Sequence, residues 1–450
     1  MKWSLAYKMK MTASRVMGTV LISALTVLLP VSAHASEELG AAGYGALITL
    51  DDAVVRALTN QAEVKRAFSR LSKEKALYKG SLSEFLPKLS AEFFGAASTG
   101  EKKTVSYLDA GIEQPLFKGG KILAGKKKQK ARVEGEETKL EEAKLDVELG
   151  IRILYAEVLL EKESTRIAQG QVRELQTEHE RIKRLTDREV LPLYELFGLE
   201  SMLQRSKHAL VKHKETYDYL LGVLIEAVRL TEGEALSLDP ITDYPELEGS
   251  AEPYLEISRK HDPVYRLWDL KTKEKQFEKR ELQADRFPQI NLTAKWNRND
   301  DVFVDTSRAM VGAEVKWDIW DFGRLGSKIN AKAHEIEETK WEGEIKVREH
   351  EKEIRKHFHE GRALRERIRL AETLMRERRE IYKNKKTRLI AGELGAGELI
   401  DSFIALEEAK IEKLRAITDY RVLTARLDRL TAFQVVTAGM DDEDTYDYEE

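Results

Sequence analysis

The chain reads FPQINLTAKWN from Phe287 to Asn297 and VGAEVKWDIWDFGR from Val311 to Arg324. In the first stretch Ile290, Leu292, Ala294 and Trp296 alternate with Asn291, Thr293, Lys295 and Asn297. In the second, Val311, Ala313, Val315, Trp317 and Ile319 alternate with Gly312, Glu314, Lys316 and Asp318. A strand points successive side chains to opposite faces, so these patterns predict strands over about 289–298 and 308–320, each with one apolar face. Membrane barrels use strands of about ten residues with aromatic ends, apolar toward lipid and polar toward a lumen. On that reading Ile290, Leu292, Trp296, Val311, Val315 and Trp317 face lipid. A half-buried hairpin in water gives the same alternation.

The pattern has an upstream echo. Leu86-Pro87-Lys88-Leu89-Ser90 returns as Phe287-Pro288-Gln289-Ile290-Asn291, an offset of 201 residues from Pro87 to Pro288. QPLFKGGK, beginning at Gln114, returns as WDIWDFGR, beginning at Trp317, an offset of 203. Strands are therefore expected over about 88–97 and 104–116. Leu89, Ala91 and Phe93 alternate cleanly, whereas Val105, Tyr107 and Asp109 do so only in part. Four strands are too few to close a barrel around a channel. An open sheet edge cannot face lipid, so a membrane location for these strands requires several copies of the chain.

Between and after the strands the sequence calls for very long helices. No proline occurs between Leu116 and Leu191, or from Gln289 to Glu450. Proline breaks helices, and these gaps are filled with Glu, Lys, Arg, Ala and Leu. Val133, Leu140, Val147, Leu154, Ala168, Leu175 and Ile182 share one seven-residue register, interrupted at Glu161. Val347, Ile354, Gly361, Ile368, Met375, Tyr382 and Leu389 share another. A sustained heptad keeps one seam against a partner helix. The helices expected over about 120–187 and 323–390 would each reach roughly 100 Å at 1.5 Å per residue.

The organisation read from this is a first repeat over 36–230 and a second over 254–432, each helix, strand, strand, long helix, reverse turn, helix. Pro240, Pro245 and Gly249 mark a linker at 231–253. The tips of the long hairpins fall at about 187–193 and 391–398. Residues 433–450 form an acidic tail expected to be disordered. At the other end Lys2, Lys8, Lys10 and Arg15 precede an apolar run from Met17 to Val31, and Ala33-His34-Ala35 supplies a small-x-small cleavage site. Residues 1–35 therefore read as an export signal.

Composition excludes much. The chain of 450 residues has no Cys, which removes disulfides, thiolate metal sites and Cys nucleophiles. Its 75 basic against 79 acidic residues give no electrostatic case for nucleic acid. A 34% charged content with only 9 Pro suits long solvated helices better than a compact enzyme.

Taken in order, LDDAVVRAL (Leu50 to Leu58), FLPKLS (Phe85 to Ser90), the duplicated strand-to-helix signatures and RLIAGELGAGELIDSFIALEEA (Arg388 to Ala409) resemble the TolC-like outer-membrane efflux family. The resemblance runs from Ile48 to about Ala432. It implies a mainly α fold with a small membrane β-barrel: a homotrimer with a 12-stranded barrel and a long α-helical tunnel. It implies an outer-membrane exit duct of a Gram-negative bacterium, largely periplasmic, serving a tripartite efflux or type I secretion system. Its partners would be outer-membrane lipid, a periplasmic adaptor (membrane fusion) protein and an inner-membrane efflux or ABC pump. No catalysis and no cofactor would be involved. The alternative of another class is a soluble periplasmic coiled-coil adaptor or scaffold, and drugs, metal ions and polypeptides are all open as cargo.

The tips are the candidate functional sites. Gly392, Gly395 and Gly397 break the second long helix, and glycine readily takes φ > 0 in a tight reversal. Glu398 and Asp401 then share a helix face. Repeated around an axis they would form an acidic constriction favouring cations, and the resemblance implies adaptor contacts nearby. An ordinary helix start explains the same acids through the helix dipole. The first tip carries Pro192 instead, suited to the first turn of the returning helix. Lys126, Lys127, Lys128, Lys130 and Arg132 read as a solvated helix face, with lipid phosphate as the alternative. His350 and His357 fall on a heptad seam and His359 does not. An interhelical hydrogen bond is expected there, not a metal site. Lys118-Gly119-Gly120-Lys121 is too short for a phosphate loop.

Overall fold

The computed structural model describes residues 47–97, 104–230, 235–238, 247, 249–301, 304–391 and 393–433. The expected export signal, Gly392, the tail beyond Phe433 and most of the linker lie outside the described residues.

The first repeat opens with strand β1 (Leu47–Ile48), then helices α1 (Leu50–Asn60) and α2 (Ala62–Leu82), strands β2 (Lys88–Ala97) and β3 (Thr104–Phe117), the long helix α3 (Lys121–Thr186) and the returning helix α4 (Leu193–Val228). Strand β4 (Ala235–Leu236) follows. The second repeat has α5 (Glu252–His261), α6 (Pro263–Ala284), β5 (Gln289–Asp301), β6 (Val304–Lys316), the long helix α7 (Arg324–Ile390) and α8 (Ala396–Leu430). The 66 residues of α3 and 67 of α7 span roughly 100 Å each.

Both long helices begin at the same backbone device. Gly119 and Gly120 have φ of 60° and 85°, and Phe322 and Gly323 have 57° and 85°. At Gly119 an added Cβ would stand 2.5 Å from the Ala284 carbonyl oxygen, so the bend touches the α6–β5 connector too closely for any side chain. Asp321 caps α7: its Oδ1 accepts from Gly323 N–H at 3.0 Å and its Oδ2 from Leu325 N–H at 2.6 Å.

The four long strands form one antiparallel sheet in the order β2-β3-β5-β6. Pairing Leu89↔Ile112, Ile112↔Ala294 and Ala294↔Val311 carries one face across all four strands. The partial alternation in β3 is resolved here, and one expectation is corrected. In β3 the apolar set is Leu108, Ala110 and Ile112, in register with Phe93, Ala91 and Leu89. Tyr107 and Asp109 lie on the opposite face. Strand β6 ends at Lys316, so Trp317 and Ile319 are not strand residues. Trp317 instead donates its Nε1–H to the Arg286 carbonyl at 3.2 Å, tying the bend to the α6–β5 connector.

Away from the sheet the helices pair side by side. Ile48, Val54, Ile151, Tyr155, Val158, Leu224 and Val228 bury one core where α1 crosses α3 and α4. The parallel pairing of β1 with β4 covers it, and Tyr155 donates to the Ser237 carbonyl at 2.7 Å. Leu255, Ile354, Leu427 and Leu430 bury the matching core of the second repeat. Ile368, Ala371, Ala416 and Tyr420 continue the α7–α8 seam toward the tip. Among the described residues no helix is long and apolar enough to cross a membrane.

Candidate functional site

The sheet carries the first site. Its apolar face consists of Leu89, Ala91 and Phe93 on β2, Leu108, Ala110 and Ile112 on β3, Ile290, Leu292, Ala294 and Trp296 on β5, and Ala309, Val311, Ala313 and Val315 on β6. Among the described residues no element covers it: Leu89 is 79% and Val311 77% exposed. Soluble monomers rarely expose a continuous apolar surface of this size. The other face is mainly polar, with Phe94 and Met310 as exposed apolar members. Asn297 Nδ2 donates to Asp109 Oδ1 at 2.6 Å, Tyr107 Oη donates to Glu92 Oε1 at 3.0 Å, and Asn291, Thr293 and Lys295 line the same side. Of the six residues expected to face lipid, Ile290, Leu292, Trp296, Val311 and Val315 lie on the apolar face. Trp317 lies beyond its end.

The tips form the second site. Helix α3 stops at Thr186 with Glu189 at φ 58° and Val190 N–H bonded back to the Leu185 carbonyl, the left-handed termination of a helix. Pro192 is the cap residue before α4, one position earlier than expected, and its carbonyl accepts from Glu195 N–H at 3.1 Å. At the second tip Gly395 caps α8 with φ −74° and ψ 152°, a conformation open to any residue. Gly397 is already helical. Neither uses the positive φ expected of it. Gly397 faces the other tip: an added Cβ would lie in ordinary contact, 3.4 Å, with Glu195 Oε2. Ile400 is buried among Val172, Leu175, Ile182, Leu199 and Leu203, so the second tip is seated on the first hairpin.

Glu398 lies in the first turn of α8. Both Glu398 and Asp401 are exposed, and among the described residues neither carboxylate has an ion-pair partner. Asp401 opens on a cleft of about 710 Å³ lined also by Arg205, Arg378 and Arg415. The structure therefore brings the two acids onto one exposed surface at the end of the hairpin, and Asp401 beside a cleft whose three arginines are matched by Glu408, Glu412 and Asp401 itself.

A third group escaped the sequence reading. Arg429 on α8 donates to Asp146 on α3 at 2.7 Å and to Asp262, between α5 and α6, at 3.2 Å. The Asp262 side chain is 1% exposed. Its Oδ1 caps α6 by accepting from Val264 N–H, and His350 Nε2 lies 2.9 Å from the Ser258 hydroxyl and 3.6 Å from Asp262. Burial pushes the Asp262 carboxyl up to about 6, partly opposed by Val264 N–H and Arg429. Burial, with help from Arg429, pulls His350 down to about 4. The Asp-Pro start of α6 was the one local signal available. His350 makes the interhelical bond expected of it, while His357 faces Glu360 of its own helix at 3.2 Å. Among the described residues no cluster of three metal-ligating side chains occurs.

The basic run on α3 is divided. Lys128 pairs with Glu281 at 2.6 Å and Arg132 with Glu274 at 2.6 Å, both on α6, while Lys127 and Lys130 stay exposed. The first two are therefore inter-helix fasteners rather than the solvated face expected.

Two long helical hairpins, each built on a helix of roughly 100 Å, are set on a small sheet whose apolar face no described element covers. The comparisons with known proteins agree with this. Residues 273–432 match the family model for outer membrane efflux proteins, which covers most of the second repeat. No curated protein matches the chain in sequence. Among solved structures, CusC, described in the context of transmembrane channel formation, is similar at TM-score 0.74 and 12% identity over 88% of this chain and 95% of that one. The CmeC outer membrane channel of Campylobacter jejuni is similar at TM-score 0.72 and 16% identity, covering 85% of each chain. The open-state MtrE outer membrane channel of Neisseria gonorrhoeae is similar at 0.71 and 14%, over 88% and 93%. The mainly helical fold with a small antiparallel sheet is thus the fold of these channels.

Proposed function

We propose that the chain is an outer-membrane exit duct of a tripartite efflux or type I secretion system: a passive conduit that docks on a periplasmic adaptor and an inner-membrane pump. The observation that carries the reading is the sheet, whose apolar face runs over four strands and is covered by no described element. Lipid is the solvent that suits this face, and the polar face then lines water. Among the described residues β2 and β6 are each unpaired on their outer edges. An open edge in lipid leaves its backbone groups unsatisfied. Three copies joined edge to edge satisfy every edge and give a barrel of 12 strands, wide enough for a lumen. The helical hairpins then hang from one rim of the barrel as the wall of a tunnel, with the tips at its far end.

In this assembly Glu398 and Asp401 recur three times around the axis, and Gly395, Gly397 and Pro192 shape the surface that meets the adaptor. A ring of carboxylates favours cations and disfavours anions. The energy for transport comes from the pump.

The test is to express the chain with its first 35 residues, separate inner from outer membranes, and measure the protein mass of the detergent-extracted species. Three chains per particle in the outer membrane is the expected result. A soluble periplasmic monomer or dimer would overturn the duct and leave a coiled-coil scaffold.

A further inference from the structure

The two repeats meet inside the chain at one joint, and the offsets of 201 and 203 residues predict the joint they make outside it. Within the chain β3 pairs with β5, and the bend after β3 lies against the α6–β5 connector. Element bounds keep the offsets: α3 starts at Lys121 and α7 at Arg324, while α2 starts at Ala62 and α6 at Pro263. The partners equivalent to β3 and β5 in a second joint are β6 and β2, which the chain itself cannot bring together. Adding 203 to one side of each contact and subtracting 201 from the other gives the contacts between copies.

The transposed list is complementary in charge. Lys121 with Asp285 at 2.8 Å becomes Arg324 with Glu84, and Lys118 with Gln289 at 3.3 Å becomes Asp321 with Lys88. Arg132 with Glu274 becomes Glu335 with Lys73, charges exchanged, and Arg266 with Glu141 becomes Lys65 with Glu344. Lys128 with Glu281 becomes Ala331 with Gly80, both neutral. No like-charged pair arises. Among the described residues Arg324, Glu84, Lys88 and Lys65 have no ion pair within the chain, so they stand ready for one.

The strand register obeys the same rule. Glu113↔Thr293 becomes Lys316↔Glu92, again opposite charges, and Ile112↔Ala294 becomes Val315↔Phe93. Val315 and Phe93 both belong to the apolar face. A one-residue slip would turn a whole strand over, so this register alone, among its immediate neighbours, continues the apolar face from one copy to the next. The joint is not a replica in detail. Phe322 stands where Gly119 stands, so the bend must sit further from the neighbour's Ser83 and Leu86 than Gly119 does from Ala284 and Phe287.

We infer that β6 of one copy pairs with β2 of the next with Lys316 opposite Glu92, and that Arg324–Glu84 and Asp321–Lys88 clasp the bend of one copy to the α2–β2 connector of its neighbour. This rests on the proposed duct but fails separately from it. The chain has no Cys, so introduced thiols are the only ones present. Lys316→Cys with Glu92→Cys, oxidised in isolated outer membranes, should give covalently linked trimers on non-reducing gels. Glu314→Cys with Glu92→Cys, a slip of two residues on the same face, should link several-fold less. In uncross-linked protein, Glu84→Arg or Arg324→Glu alone should lower the temperature at which the oligomer dissociates, and the double reversal should recover it. Stronger linking by the slipped pair, or no linking by either pair in a species of trimeric mass, overturns the register. No recovery in the double reversal overturns the clasp. A monomeric mass in the membrane overturns the duct reading beneath both.

Discussion

Arg429→Met removes a cation that ties α8 to α3 and to the α5–α6 junction. In the native chain Arg429 is 13% exposed and reaches Asp146 at 2.7 Å, Asp262 at 3.2 Å and Glu142 at 4.0 Å. Deleting one partner of a buried pair typically costs about 3–5 kcal/mol, because the remaining charge stays buried and unpaired. Asp262 is that charge. Its carboxyl titrates at about 6 rather than 3.8. One pKa unit is about 1.4 kcal/mol, so the ionised Asp262 already costs the folded state about 3 kcal/mol with Arg429 present. A raised carboxyl contributes most stability below its unfolded value of 3.8 and loses it as pH rises through 6. His350, lowered from 6.5 to about 4, works in the opposite sense. Its contribution is complete above 6.5 and is lost as pH falls through 4, again by about 3 kcal/mol. These two contributions nearly cancel between pH 4 and 6.5, while Asp428, pushed by burial up to about 7, makes the native fold lose stability as pH rises from 3.8 through 7. Without Arg429, Asp262 and His350 accept protons more readily, since the arginine opposes protonation of each. The deficit of Arg429→Met should be largest at pH 8 and shrink markedly at pH 5. The assay is the unfolding midpoint of the detergent-extracted protein at the two pH values, native and variant side by side. An equal deficit at both would refute the electrostatic argument and leave only lost packing.

Val311→Arg puts a cation on the outward apolar face of β6; at the middle of a bilayer this costs about 2–4 kcal/mol, and membrane-inserted oligomer recovered from cells should fall. The same substitution in a water-exposed hairpin would leave the yield unchanged or improved. Gly119→Ala forces a side chain onto φ 60° and into the Ala284 carbonyl; the backbone strain alone is roughly 1–2 kcal/mol, and the heat-dissociation midpoint should drop, whereas Gly395→Ala, at an ordinary φ with open space around it, should leave it unmoved. Replacing Glu398 with Gln and Asp401 with Asn should weaken cation preference in a planar bilayer and raise the conductance of the closed state. Unchanged conductance and selectivity would remove the acidic constriction from the account.

The sequence alone determined what is local and periodic. The long proline-free heptad stretches dictate rods, because a seven-residue apolar period has no other stable use. The alternation at Ile290 to Trp296 dictates a two-faced strand, and the duplication at 201 and 203 residues dictates that whatever the second half builds the first half builds also. Local pattern was weaker where both faces hold apolar side chains. In β3 Tyr107 competes with Leu108, Ala110 and Ile112, and pairing with Leu89, Ala91 and Phe93 decides which set joins the apolar face. Three glycines after Leu389 suggested where the helix breaks but not that Gly397 lies against Glu195 of the other hairpin. Tertiary structure alone assembled the Asp146, Asp262, His350 and Arg429 group, whose members come from four separate places in the chain. A sequence pattern encodes the faces of an element, because side-chain direction repeats along the backbone. Which faces meet is decided by packing over hundreds of residues, where burial turns a helix cap and a seam histidine into one electrostatic unit.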